Sequence, residues 1–153
     1  MYRNILVPID GSATAQRGLR EALGIAAAHQ ASLHLLTVVD DFPMLMQMAS
    51  EEGFKQTMAQ VRQAAEVLLA KGRQLASEAG IAARTKLRNV THGRVGDVIV
   101  DEARLAGCDL IVMGTHGRRG FSRLAIGSDA EHVVRIADVP VLLVRQPEAL
   151  PAV

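Results

Sequence analysis

Aromatic residues are nearly missing: 153 residues include no tryptophan, one tyrosine and three phenylalanines. Proteins that grip single-stranded nucleic acid stack bases on such rings, so that class is disfavoured. One cysteine, Cys108, excludes an internal disulfide, and its apolar neighbours mark a buried, inert thiol. Although 49% of residues are hydrophobic, no run reaches the roughly 18 apolar residues of a membrane span. Ile5 to Ile9 is too short for a signal segment and reads as a strand, so the cytoplasm is the expected location. The formal net charge is +1 with acids and bases interspersed, which gives no field for nucleic acid or membrane partners. Gly-x4-Gly-Lys-Ser/Thr, Gly-x-Gly-x-x-Gly and Gly-x-Ser-x-Gly are all absent, which argues against P-loop, dinucleotide and serine-hydrolase sites. His29, His34, His92, His116 and His132 show no metal-ligand spacing. No catalytic residue is identified, and nothing marks a general base poised to activate water.

What is present alternates. Residues 4–9 are an apolar run, then Asp10-Gly11-Ser12 makes a turn with Ser12 as helix N-cap. Leu19, Ala22, Leu23 and Ala26 follow at helical spacing, and Leu33 to Val39 is a second strand. Phe42 to Gly53 shows no clear period and reads as a loop, with a Met-rich lid over Phe42–Met48 as the sharper alternative. Met58, Val61, Ala65, Leu68, Gly72 and Leu75 predict a long helix ending near Gly80. Ala82 to Val90 alternates, with Arg84, Lys86 and Arg88 on one side as suits an edge strand. Val95, Val98, Ile99, Glu102 and Ala106 give a third helix, Leu110–Met113 a fourth strand, Gly127–Ala137 a fourth helix and Val139–Val144 a last strand. Five strands alternating with four helices predict an open, doubly wound, Rossmann-like α/β domain over residues 1–146, with 147–153 a loose tail.

The chemistry centres on Leu110 to Val134. A buried apolar strand ends in Gly114; Gly117 and Gly120 follow, and Gly127-Ser128 opens an apolar-periodic segment with Ser128 as N-cap. Strand, glycine-rich loop and helix start form an anion site from backbone alone. Glycines let a phosphate approach N–H groups. His116, Arg118, Arg119 and Arg123 add positive potential. Asp10, at the end of the first strand, can accept from a ribose hydroxyl or the adenine amino group, help hold a metal, or simply form its turn.

Gly114, Gly117 and Gly127-Ser128 spell Gly-x2-Gly-x9-Gly-Ser, which resembles the signature of the ATP-binding branch of the universal stress protein family. Asn4-Ile-Leu-Val-Pro-Ile-Asp-Gly-Ser12 and Val139-Pro-Val-Leu-Leu-Val-Arg145 resemble that family's first and last strands. The resemblance implies strand order 3-2-1-4-5, whose reversal between strands 1 and 4 is where ligands sit in such sheets. It implies that Pro8 and Asp10 line a nucleoside pocket and that Val38 presents backbone to adenine. The candidate set for ATP or AMP, with Mg²⁺ held through the phosphates, is Pro8, Ile9, Asp10, Val38, Met113, Gly114, His116, Gly117, Arg118, Arg119, Gly120, Gly127, Ser128 and Asp129. Asp129 suits the helix dipole but would repel a terminal phosphate. The resemblance also implies a homodimer paired through the last strand, Val139–Val144, which is apolar and needs closing. The expected role is nucleotide-dependent stress response or signalling. The rivals are a slow ATPase or self-phosphorylating enzyme of the same fold, and a dimeric interaction module with no nucleotide.

Overall fold

The computed structural model describes residues 1–47, 50–116 and 126–145. Strands β1 (Asn4–Pro8), β2 (Ser32–Asp40), β3 (Ala83–Val90), β4 (Leu110–Gly114) and β5 (Val141–Val144) form one sheet in the order β3-β2-β1-β4-β5. Every pairing is parallel. The connections are α1 (Ala13–His29), α2 (Phe42–Gln47), α3 (Glu51–Glu78), α4 (Val95–Leu105) and α5 (Ser128–Ile136). Successive strand residues point to opposite faces. Ile5, Val7, Leu35 and Val112 therefore pack with Leu19 and Ala22 of α1 and Leu69 of α3. Leu6, Leu36 and Ile111 pack with Ile99 of α4 and Val133 of α5 on the other side. Each fully buried side chain of this size contributes about 1.5–3 kcal/mol. The two-layer core thus explains why strands that read as unbroken apolar runs sit in the middle.

Three expectations change. Four helices were expected and five are found among the described residues, because Phe42–Gln47 is helical rather than loop. It buries none of its residues, so no core face imposed a period on it. Second, α3 buries Met58, Ala65, Leu69, Gly72 and Ala76, whereas Leu75 is 40% exposed. A Cβ on Gly72 would stand 3.0 Å from Leu35 Cδ1. The helix lies close to the sheet there, which puts Leu69 and Ala76 in the core, with Leu68 packed at its border and Leu75 turned outward. Third, β5 begins at Val141, two residues later than expected, although the Pro140 carbonyl already accepts the Ile111 N–H at 3.0 Å. The expected tail, 147–153, lies outside the described residues.

At the N-terminal edge of the sheet, the Asp109 carboxylate accepts the N–H groups of Arg3 (2.8 Å) and Asn4 (3.2 Å). The Asn4 side-chain amide donates to Ala106 C=O at 2.8 Å. This clamp joins the start of β1 to the turn before β4. Beneath α4, the buried Glu102 holds His34 Nε2 at 2.9 Å and Arg88 Nη1 at 2.7 Å, and Arg88 also reaches Asp101. These carboxylates, Glu102 first, raise the Arg88 pKa further. Cys108 is buried, and desolvation pushes its thiol up to about 12.

Candidate functional site

The strand order reverses between β1 and β4, so a crevice opens beyond their C-terminal ends. On the β1 side, Pro8 is the last strand residue and Ile9 is buried. The Ile9 N–H donates to Leu36 C=O at 2.8 Å, and its own C=O accepts the Thr37 hydroxyl at 2.9 Å. Ile9 therefore has its backbone groups spent and its side chain in the core, where it supports the crevice from below. Asp10 Oδ1 accepts the Ser12 N–H at 2.9 Å, so the carboxylate does form its turn, and Gly11 takes φ 83°. Ser12 caps α1 by accepting the Ala15 N–H.

On the β4 side, Gly114 is the residue that the fold needs small. A Cβ there would meet Thr14 C at 2.8 Å and Thr14 Cβ at 2.9 Å. Its glycine is thus explained by the close approach of β4 to the first turn of α1. Met113 lies in the core on the α4–α5 side. Thr115 is buried; its N–H donates to Val144 C=O at 3.0 Å and its C=O accepts the Gly127 N–H at 2.7 Å. The Thr14 hydroxyl donates to the His116 C=O. His116 Nδ1 lies 3.0 Å from Thr115 Oγ1, while its buried Nε2 has no hydrogen-bond partner. The two ends of the glycine-rich loop are therefore tied to each other and to α1. Gly117, Arg118, Arg119 and Gly120, with Arg123, lie outside the described residues.

At the start of α5 the expected cap moves by one residue. Gly127 is the N-cap, accepting the Glu131 N–H at 2.9 Å, and Ser128 is the first helical residue. Gly127 donates to Thr115, and the first-turn donors of Ser128 and Ala130 have no acceptor within the helix. Ser128 and Asp129 are exposed, and Glu131 pairs with Arg135 at 2.8 Å on the surface. The macrodipole places positive potential here.

Val38 supplies a different surface. Along β2, Ser32 N–H bonds to Arg3 C=O and Leu36 C=O accepts from Ile9, so even-numbered residues bond toward β1. The β1–β2 register ends at Pro8 and Leu36. The N–H and C=O of Val38 thus point to the side that the chain leaves at Asp10, one donor and one acceptor side by side. An aminopyrimidine edge, with a ring nitrogen beside an exocyclic amine, matches such a pair.

Thr14 and Thr115 were not anticipated, nor was a polar chain between the helix starts. His132 Nε2 lies 2.6 Å from Asp97 Oδ1, and Arg94 Nη1 lies 3.3 Å from His132 Nδ1. Arginine only donates, so Nδ1 accepts and Nε2–H faces the carboxylate. That hydrogen bond is the main cause that lowers the Asp97 pKa. It fixes the start of α4 against the first turns of α5, where a Cβ on Gly96 would meet His132 Cδ2 at 2.9 Å. No cluster of three or more His, Cys, Asp or Glu among the described residues could hold a metal ion. No helix among them is long and apolar enough to cross a membrane.

Comparison with known proteins agrees with this architecture. The family model described as the universal stress protein family matches residues 1–145. A universal stress protein of Methanocaldococcus jannaschii is 31% identical over 148 residues, covering 97% of this chain and 85% of that protein. The solved structure of the hypothetical protein MJ0577, described as a test case for assigning biochemical function from structure, superposes with TM-score 0.86 at 25% identity, covering 97% of this chain and 99% of that one. A universal stress protein crystallised in complex with cAMP gives TM-score 0.68 at 25% identity, covering 94% and 97%. A doubly wound sheet whose glycine-bounded loop is pinned across the β1–β4 switch point, matched by that family over nearly its whole length, places this chain in the universal stress protein family.

Proposed function

We propose that the crevice between β1 and β4 binds an adenine nucleotide, ATP or AMP, and that the bound nucleotide serves stress response or signalling rather than turnover. The observation that carries this reading is the backbone pair of Val38, which faces the crevice with one donor and one acceptor as adenine requires. The start of α5 lies at the same edge and suits phosphate. The related protein crystallised with cAMP supports the adenylate class. Asp10 borders the pocket, and a Mg²⁺ ion would be carried by phosphate oxygens. Micromolar binding needs about 8 kcal/mol. A few charge-assisted hydrogen bonds at about 1.5–3 kcal/mol each, plus burial of the base, reach that figure. The protein acts in the cytoplasm as a homodimer, two β5 edges pairing about a twofold axis; Leu142 is exposed there at 39%.

Mass spectrometry of small molecules released on denaturing the purified protein tests the reading, followed by calorimetric titration with ATP, AMP and cAMP. An adenylate in the released fraction, or micromolar heats of binding, is expected. An empty fraction and no heat with any of the three would overturn it. Sedimentation at micromolar concentration tests the dimer.

A further inference from the structure

The opposite edge of the sheet, formed by β3, lies away from the β1–β4 crevice. No strand among the described residues pairs with the outer side of β3. The hydrogen bonds on the inner side show which groups are left over. Ala82 C=O accepts the Leu33 N–H at 2.9 Å, and Val90 C=O accepts the Asp41 N–H at 3.1 Å. A parallel ladder alternates, so residues 84, 86 and 88 also bond inward. The N–H and C=O groups of Ala83, Thr85, Leu87 and Asn89 consequently face outward.

The two faces of this edge differ in chemistry. Arg88 reaches Asp101 and Glu102 of α4, so Arg84 and Lys86, of the same parity, stand on the α4 side of the sheet. Both are exposed and neither forms an ion pair among the described residues. On the other side, Thr85 and Leu87 form the floor of an open groove of about 280 Å³. Its wall is Glu66, Leu69, Ala70 and Arg73, one stripe of α3 at helical spacing.

We propose that β3 accepts an extended acidic segment of another protein as a sixth strand. A strand laid there would turn alternate side chains to opposite faces. Acidic ones would meet Arg84 and Lys86, and small apolar ones would enter the α3 groove. Main-chain bonds to the four outward residues supply the affinity, and the two faces supply the choice of partner. The same charges reject a second copy of this chain, because two β3 edges would set basic residues against each other. They protect the edge from self-pairing and select an acidic partner with one device.

The probe is a blocked peptide alternating Glu and Val, about seven residues long to span the strand. It is titrated into ¹⁵N-labelled protein while amide exchange is followed. The Thr85, Leu87 and Asn89 amides are expected to gain protection, and affinity to fall with added salt. Thr85→Pro removes an N–H that bonds to nothing within the sheet, so the variant keeps its fold and loses affinity about tenfold or more. Arg84→Glu with Lys86→Glu gives a similar loss without touching the backbone, and a Lys-Val peptide of equal length does not bind. No added protection at millimolar peptide, or equal binding of the Lys-Val peptide, overturns the proposal. So does protection already present in the free protein together with a dimer that Thr85→Pro dissociates, since a second copy would then occupy the edge. An oligonucleotide that binds this face without protecting those amides overturns it as well.

Discussion

Replacing Gly114 by alanine adds one methyl group where the structure has no room. The new Cβ would lie 2.8 Å from Thr14 C and 2.9 Å from Thr14 Cβ and Oγ1. A rotating hydroxyl could give way, but the Thr14 main-chain carbon cannot without moving α1 away from β4. Overpacking of this kind costs about 1–3 kcal/mol. A stiffer unfolded chain returns about 0.4–1 kcal/mol. The net expectation is a loss of about 1.5 kcal/mol, or a melting temperature lower by roughly 3–6 °C for a chain of this size. Gly24 provides the internal control, because a Cβ there meets nothing within 4 Å. Gly24→Ala in the interior of α1 should gain about 1 kcal/mol from helix propensity and raise the melting temperature by roughly 2–4 °C. Differential scanning calorimetry on both variants reads opposite signs for one chemical change. A Gly114→Ala protein that melts at or above the wild type would refute the close-packing account and return this glycine to a role toward ligand.

Glu102→Ala should cost about 2–4 kcal/mol in urea unfolding, since it strands the buried His34 and leaves the partly buried Arg88 with Asp101 as its one remaining carboxylate among the described residues; a loss below about 0.5 kcal/mol would contradict the network. Asp97 has its pKa lowered by His132, so its contribution to stability is full above the unfolded carboxyl range near 4 and fades as pH falls through the lower folded value. Asp97→Asn should flatten that acid limb in urea midpoints measured against pH, and an unchanged limb would exclude the pair as its source. Asp129→Val should tighten ATP more than AMP in calorimetry, because a carboxylate in the first turn of α5 repels the more highly charged tail most; equal changes would refute this. Cys108, with its pKa near 12, should resist thiol reagents at pH 8 until urea is added. Native-state labelling on the time scale of a free thiol would show that the pocket around it opens.

Strong patterns were legible and weak ones were not. The middle strands announce themselves because both faces are buried and the runs are unbroken, as in Leu110-Ile-Val-Met113. Ser12 was readable as a cap because its hydroxyl has one natural use beside a glycine turn. Phe42–Gln47 hid its helix, since fewer than two turns with no buried residue carry no period. The face of α3 was misread at Leu75 because Ala76 beside it is also apolar, and only the approach of Gly72 to Leu35 decides the register. At the site, the glycine spacing pointed to the loop after β4, but it could not separate glycines that serve a ligand from those that serve packing. Thr14 and Thr115 went unnoticed for the same reason, since a hydroxyl that ties a loop end has no signature until its partner carbonyl is located. The cap at Gly127 rather than Ser128 follows from the bond to Thr115, a contact invisible to local sequence.

The clamp between Asn4 and Asp109 joins residues 105 positions apart, and it holds the central strand of the sheet. During synthesis, β1, β2 and β3 are all made before β4. Until then the β4-facing edge of β1 is a row of unpaired backbone N–H and C=O groups. The growing chain therefore carries an unpaired central strand edge until β4 has been made.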